Sequence, residues 1–358
     1  MFAECVVPTS VIDLKLISSL RKTLVRSEKE ILIESKEFAS ETPWVSWWCM
    51  VTTAVVWIAC VVATLLTDTW WLRLCCSCLL GLVHVRLFVI YHDFQHGALL
   101  PKSRLVRGFM FLFGCITLSP PSVWKRSHNH HHKNNAKLFG ASIGSYPVMT
   151  TEAYAEASFW QRLLYKFSRH PLTIGGGYLT VFFIGMTVRP LFLNPKRHWD
   201  AICSLLVHAG LIVALAFVDP MGILFVTCVP MIIAGASGAY LFYAQHNYPD
   251  VALKLGKDWN YVTAALKSSS YIKMHPILHW FTANIGYHHV HHLNHRIPFY
   301  KLPKAMAAIK ELHNPGVTSL RPWDVYKCLR LKLWDVNEER LVSFAWARRQ
   351  RRAARITA

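Results

Sequence analysis

Hydrophobic positions along this chain gather into long uninterrupted runs, unlike the short amphipathic stretches of a soluble domain. Residues 44–66 carry no charged side chain. As a helix rising about 1.5 Å per residue, such a run crosses about 30 Å of hydrocarbon. Trp44, Trp47 and Trp48 at its start resemble the aromatic belt of a membrane interface. A second run, 70–91, contains Arg73 and Arg86 towards its two ends. Snorkelling there would avoid the roughly 2.5–3.5 kcal/mol cost of a central arginine. Two further runs, 201–218 and 221–244, are joined by Asp219-Pro220, as the first two are joined by Thr67-Asp68-Thr69. The pattern predicts an all-α integral membrane fold with four spanning helices in two hairpins.

Two apolar stretches are too short for a full crossing. Residues 106–119 are stopped by Pro120-Pro121, and 177–193 contain Arg189 and Pro190. Both are read as re-entrant or interfacial segments. Residues 1–43 mix charges with Val11, Leu14, Leu16 and Ile17, which predicts an interfacial amphipathic segment. The expected organisation is a single domain over 1–358. After the interfacial segment come the first hairpin over 44–91, a cytoplasmic or re-entrant region over 92–200, the second hairpin over 201–244, and a helical cytoplasmic cap over 245–358. The cap ends in a basic tail with Arg348, Arg349, Arg351, Arg352 and Arg355.

Charge and composition sharpen this picture. The chain is 53% hydrophobic, and its net charge of +19 admits either a nucleic-acid partner or a cytoplasmic face meeting anionic lipid. The apolar runs decide for the membrane and against nucleic acid. The turns at 67–69 and 219–220 carry no Lys or Arg, so both termini are expected on the cytoplasmic side. No signal-peptide or transit-peptide pattern opens the sequence. The cysteines lack paired metal or disulfide spacing, and Cys75, Cys76 and Cys78 read as small packing residues in a membrane helix.

The chemistry lies in the histidines. His128, His131 and His132 share an H-x-x-H-H spacing with His288, His291 and His292, while His92 and His96 stand four apart. On helices these spacings put the imidazoles of each box on one face. The predicted topology brings all three boxes to the cytoplasmic side, and His246 at the end of the fourth run makes a ninth candidate. Four imidazoles suffice for zinc. Eight or nine fit two octahedral-type metals with open positions, although imidazole alone does not choose among iron, copper, nickel and zinc. A redox pair at the mouth of an apolar compartment suggests O2-dependent attack on an alkyl chain.

Asp93 is a candidate acceptor that orients a ligand imidazole. Asn284 is a candidate to support the third box or to cap its helix. His130 and His289 fall off the ligand face, His84 and His208 read as packing residues, and His170, His198, His275, His279, His295 and His313 as loop or interfacial histidines. Metal binding is expected to weaken below about pH 6.5, because imidazole must be neutral to ligate.

Three stretches carry a family resemblance: Tyr91-His92-Asp93-Phe94-Gln95-His96-Gly97, residues 124–132 and residues 286–298. With the continuation through Tyr300 and Leu331-Lys332-Leu333-Trp334-Asp335, the chain resembles the membrane fatty acid desaturases, and more closely their bacterial acyl-lipid type, over roughly residues 44–345. The resemblance implies a di-iron centre ligated by His92, His96, His128, His131, His132, His288, His291 and His292. It also implies O2 as oxidant, a lipid-linked fatty acyl substrate and a bacterial inner membrane. His246 matches a further family histidine in Phe242–His246, although Asn247-Tyr248-Pro249-Asp250 departs from a more acidic continuation. No ferredoxin-like cysteine run or haem domain is present, so electrons must come from an external ferredoxin or cytochrome drawn to the basic face. A membrane di-iron hydroxylase or ketolase acting on a carotenoid or alkane is the nearest alternative. A metal transporter or b-type cytochrome is a more distant one, because it would place paired histidines inside the spans.

Overall fold

The computed structural model describes residues 26–138, 143–254 and 256–357. The first 25 positions of the expected interfacial segment therefore lie outside the described residues. The remainder of that segment is α1 (Glu28–Phe38), started by a capping box in which Ser27 and Glu30 satisfy each other's backbone donors.

Two helices, α2 (Pro43–Leu66) and α3 (Trp70–His96), realise the first two apolar runs. Proline at the first position of α2 costs nothing, because that N–H would have no helical partner. The helix α3 outlasts its apolar run and carries His92 and His96 on its last turns. Gly97 then stops it in a left-handed conformation with φ 71°.

Because α3 extends beyond position 91, Arg86 sits well inside the helix and is buried instead of snorkelling. Its Nε donates to the Thr53 hydroxyl at 3.1 Å, its Nη1 donates to the Trp280 carbonyl, and the Trp280 ring lies 4.3 Å away. Arg73 is likewise buried and pairs with Asp219. Protein partners therefore help to meet the desolvation cost of both arginines.

Next come α4 (Arg104–Ile116) and α5 (Pro121–Asn134), related by a 90° bend. Pro120-Pro121 explains the bend, since the first proline disfavours helix before it and the second suits a helix start. The 177–193 stretch forms the short apolar helix α6 (Tyr178–Leu193). The last two runs become α7 (Trp199–Val218) and α8 (Pro220–His246), giving four helices long and apolar enough to cross a membrane. Within α8, residues Ile223–Cys228 widen into π-turns just before Pro230, whose ring cannot fit an undistorted α-turn. Exposed Val51, Val55, Leu66, Leu206, Phe217 and Leu224 leave these helices with apolar outer faces.

The carboxyl-terminal third is mixed, which corrects the all-α expectation to a mostly helical fold with two small sheets. Strands β1 (Met149–Thr150), β4 (Leu333–Asp335) and β5 (Arg340–Val342) form one sheet, and β2 (Ser270–Lys273) pairs in parallel with β3 (Gly316–Ser319) in the other. Strands this short show no period-2 signal in the sequence, and their pairing is non-local. Three helices complete the segment that matters below: α9 (His288–Leu293), α10 (Pro322–Arg330) and α11 (Phe344–Thr357).

Backbones touch where α6 meets α8. A Cβ on Gly177 would lie 2.3 Å from the Gly235 carbonyl oxygen, so neither position tolerates a side chain without separating the helices. Gly235→Leu is expected to lower stability by about 1–3 kcal/mol, the usual cost of overpacking. Gly108→Leu, with nothing within 4 Å of the added Cβ, is expected to leave it unchanged. Thermal melts in detergent compare the two; equal midpoints would contradict the close packing.

Candidate metal centre

Four elements deliver the nine histidines to one place. The last turns of α3 bring His92 and His96, α5 brings His128, His131 and His132, the end of α8 brings His246, and α9 brings His288, His291 and His292. Eight are buried and His246 is half-buried. Their ring nitrogens form two groups. His92, His96, His128, His132 and His291 make the first, and His131, His246, His288 and His292 the second, with ligand atoms within 4.8 Å of one another in each.

The split cuts through both H-x-x-H-H boxes, so the imidazoles of one box serve both groups. In each box the i, i+4 pair goes to one group and the remaining histidine to the other. Successive residues turn by about 100°, so i and i+4 diverge by only about 40° and aim at the same point. The third imidazole points aside and reaches the neighbouring group.

Distances describe the second group as a closed ring. His246 Nε2 lies 2.9 Å from His288 Nε2 and 3.0 Å from His131 Nε2, while His292 Nε2 lies 3.1 Å from His288 Nε2 and 3.2 Å from His131 Nε2. In the first group, Nε2 contacts run from His92 through His128 and His132 to His291 at 3.0, 3.1 and 3.1 Å. Around a centre with bonds of about 2.1 Å, adjacent vertices of an octahedron stand about 3.0 Å apart, and those of a tetrahedron about 3.4 Å. The spacing fits the octahedral case.

The outward nitrogens explain which lone pairs face inward. The Nδ1 of His246 lies 3.0 Å from the Ser268 carbonyl, to which it can only donate, so its Nε2 is left as a bare acceptor. His92 Nδ1 lies 3.0 Å from Asp93 Oδ1, and His131 Nδ1 lies 2.7 Å from the Ser145 hydroxyl. Both ring nitrogens of His96 are buried without a hydrogen-bond partner. Lone pairs converging at about 3 Å, together with an orphaned buried imidazole, suit a pair of metal cations.

Other predicted residues find their places around this cluster. Asp93 spans it: Oδ1 meets His92, and Oδ2 accepts the Phe299 N–H at 2.7 Å, tying the first box to the segment after the third. Asn284 donates to the Phe299 carbonyl at 3.2 Å from a backbone with φ 54°. The N-cap of α9 is Tyr287, so Asn284 does not cap that helix. His289 is buried, 3.3 Å from the Leu312 carbonyl. His84 and His208 are packing residues, the first beside Trp57 and the second between Tyr178 and the Ile116 carbonyl. His313 is exposed.

The sequence reading missed three neighbours. His295, read as a loop or interfacial histidine, lies with its ring tilted 4.7 Å from His96 and 5.1 Å from His132. Trp124 covers His128 at 4.4 Å and His92 at 5.3 Å, and Phe242 lies 4.9 Å from His131. Trp124 and Phe242 lie four residues before His128 and His246, respectively, a helical spacing that could have flagged both.

Burial, and then repulsion from neighbouring imidazoles, hold His128, His131, His132, His288, His291 and His292 well below the usual imidazole pKa of 6.5. The folded state therefore keeps these rings neutral, and the threshold for metal loss moves below the pH 6.5 that free imidazole suggests. The unfolded chain takes up protons as pH falls through about 6.5, and the folded site does not. Stability of the metal-free protein is thus expected to fall as pH drops from 7.5 to 5.0. His128→Ala with His132→Ala should flatten that slope. Circular dichroism melts across this range measure it, and a rising midpoint would contradict the account.

Comparison with known proteins agrees with this geometry. A family model described as Fatty acid desaturase matches residues 68–321. The chain is 32% identical over 261 residues to a "Fatty acid desaturase" of Bacillus subtilis (strain 168), covering 72% of this chain and 74% of that one. It is 26% identical over 245 residues to an "sn-1 acyl-lipid omega-3 desaturase (ferredoxin)" of Nostoc sp. (strain 36), covering 64% and 65% of the two chains. It is 27% identical over 268 residues to an "Acyl-lipid omega-3 desaturase (cytochrome b5), endoplasmic reticulum" of Arabidopsis thaliana, covering 71% and 68%. With its two groups of converging histidines inside the matched stretch, the chain belongs to the fatty acid desaturase family and is an oxidoreductase.

Proposed function

We propose that this protein is an O2-dependent acyl-lipid desaturase that introduces a double bond at a di-iron centre ligated by His92, His96, His128, His131, His132, His246, His288, His291 and His292. The observation that carries the reading is the convergence of nine imidazoles into two groups, with His92, His96 and His246 on the final turns of two helices long enough to span a membrane. The balanced reaction converts –CH2–CH2– with O2, two electrons and two protons into –CH=CH– and two waters.

When bound, the irons would supply the reduction of O2 that oxidises the alkyl chain. The protein's share is positioning. Asp93 and the Ser268 carbonyl hold His92 and His246 with Nε2 facing inward. Trp124 and Phe242 wall the imidazoles and exclude water on their sides. Being neutral, the nine imidazoles would hold the two metals without cancelling their positive charge. Which methylene pair reacts would follow from how deeply the acyl chain lies beneath the histidines, by positioning alone.

In this reading the four helices form two membrane hairpins of a single domain. The histidine groups and the segment from 245 onward face the cytoplasm of a bacterial inner membrane, as do both termini. The substrate is lipid-linked, and electrons arrive from a ferredoxin or cytochrome, the kinds of donor printed in the relatives' names.

Expression in a host with simple lipids, followed by fatty-acid analysis, should reveal a new double bond. A hydroxylated or ketolated product instead would exclude desaturation. His128→Ala or His291→Ala is expected to abolish turnover and lower bound iron, whereas His313→Ala should change neither. Asp93→Asn is expected to weaken metal binding roughly 10–100-fold, the usual cost of losing a partner that orients a ligand imidazole. Unchanged iron in the His291 variant would refute the ligand assignment.

A further inference from the structure

A groove of about 220 Å³ opens between α10, β5 and α11. Lys327, Arg330, Arg340 and Arg349 line it, with Trp346 between them and no carboxylate in the lining. Asp324 meets Lys327 at 3.1 Å and Glu338 meets Arg340 at 3.2 Å, which leaves part of the charge compensated. Arg330 and Arg349 have no carboxylate within ion-pair distance among the described residues, and both are exposed. Arg348, Arg351 and Arg352 extend the positive surface along α11 and are exposed as well.

What lies under the groove sets it apart from an ordinary basic surface. Its floor includes Leu331, whose carbonyl accepts the Asn247 side-chain amide at 3.2 Å. The same amide donates to the Cys328 carbonyl at 2.7 Å. Asn247 is covalently next to His246, whose Nε2 sits 2.9 Å from His288 and 3.0 Å from His131. One hydrogen bond and about ten covalent bonds, through the Asn247 side chain and the peptide link to His246, therefore join the groove lining to the second histidine group.

We propose that this groove docks a small acidic one-electron carrier protein, and that its electrons enter the second histidine group through Leu331, Asn247 and His246. The proposal rests on the desaturase reading, which requires an outside reductant. Each double bond consumes two reduced carriers, each losing one electron. One O2 becomes two waters, taking two hydrogens from the acyl chain and two protons from solvent. Charge complementarity speaks for an acidic protein face, which speeds encounter and fixes orientation. Trp346 offers the aromatic contact that often anchors such interfaces.

The test uses the full-length, iron-loaded protein in zwitterionic-lipid nanodiscs, with a plant-type [2Fe–2S] ferredoxin as probe. Binding is measured directly, and carrier oxidation is followed separately. Arg330→Glu with Arg349→Glu is expected to weaken ferredoxin binding and raise its KM about tenfold or more, with bound iron and helix content unchanged. In the parent protein, binding should fall steeply with added salt. Arg104→Glu with Arg107→Glu, exposed on α4, is the control and should leave binding as it is. Unchanged binding and KM in the groove variant would overturn the proposal. So would an effect of the groove variant seen only in nanodiscs made with anionic lipid, which would make the groove a membrane contact. Binding that behaves as expected while no double bond forms would overturn the desaturase reading and leave the docking site standing.

Discussion

The constraint on which the rest of this structure depends is electrostatic. Nine imidazoles converge on two centres, and eight of them bring ring nitrogens within about 3 Å of one another. Burial disfavours protonation of the six imidazoles of the two H-x-x-H-H boxes, and outward hydrogen bonds of His92, His131 and His246 orient their inward nitrogens. Such an arrangement persists only if the surrounding helices hold it, or if cations occupy its two centres. Much of the architecture can be read as that holding frame: Gly97 ends α3 just after its second ligand candidate, Pro120-Pro121 turns α5 towards the cluster, and Asp93 links α3 to the segment after α9.

Membrane and site are joined by two helices that serve both. The helices α3 and α8 are apolar for most of their length and then carry His92, His96 and His246 on their final turns. A displacement of either helix along its axis would carry a ligand candidate with it. This gives a mechanical reason for the buried locks along them: Arg73 with Asp219, Arg86 among Thr53 and the Trp280 carbonyl, and the backbone contact of Gly177 with Gly235. The two small sheets do related work, since β2 runs beside α9 and β4 pairs with β1 across a long stretch of chain.

A site built from neutral ligands also shapes its surroundings. Among the described residues Asp93 is the carboxylate that meets a histidine of the two groups, and in the proposed reaction the site would draw its electrons from an outside carrier. The basic groove beyond His246 is where we place that supply: a positive surface for an acidic carrier, and a route of one hydrogen bond and about ten covalent bonds to the histidines.

By itself the sequence determined the four apolar helices, because crossing hydrocarbon requires long uncharged runs, and singled out eight of the converging histidines, because i, i+3 and i+4 spacing has meaning on a helix; His246 came from its place at the end of the fourth apolar run. Asp93 was legible for the same reason, as the neighbour of a ligand candidate. Other features were decided by tertiary structure, because they depend on contacts between segments far apart in the chain. The division of each box between two groups required the relative placement of α5 and α9. His295 and Arg86 looked like a loop histidine and a snorkelling arginine until distant elements closed around them. The short strands had no period of their own, and only their partners, more than a hundred residues away for β1 and β4, made them strands.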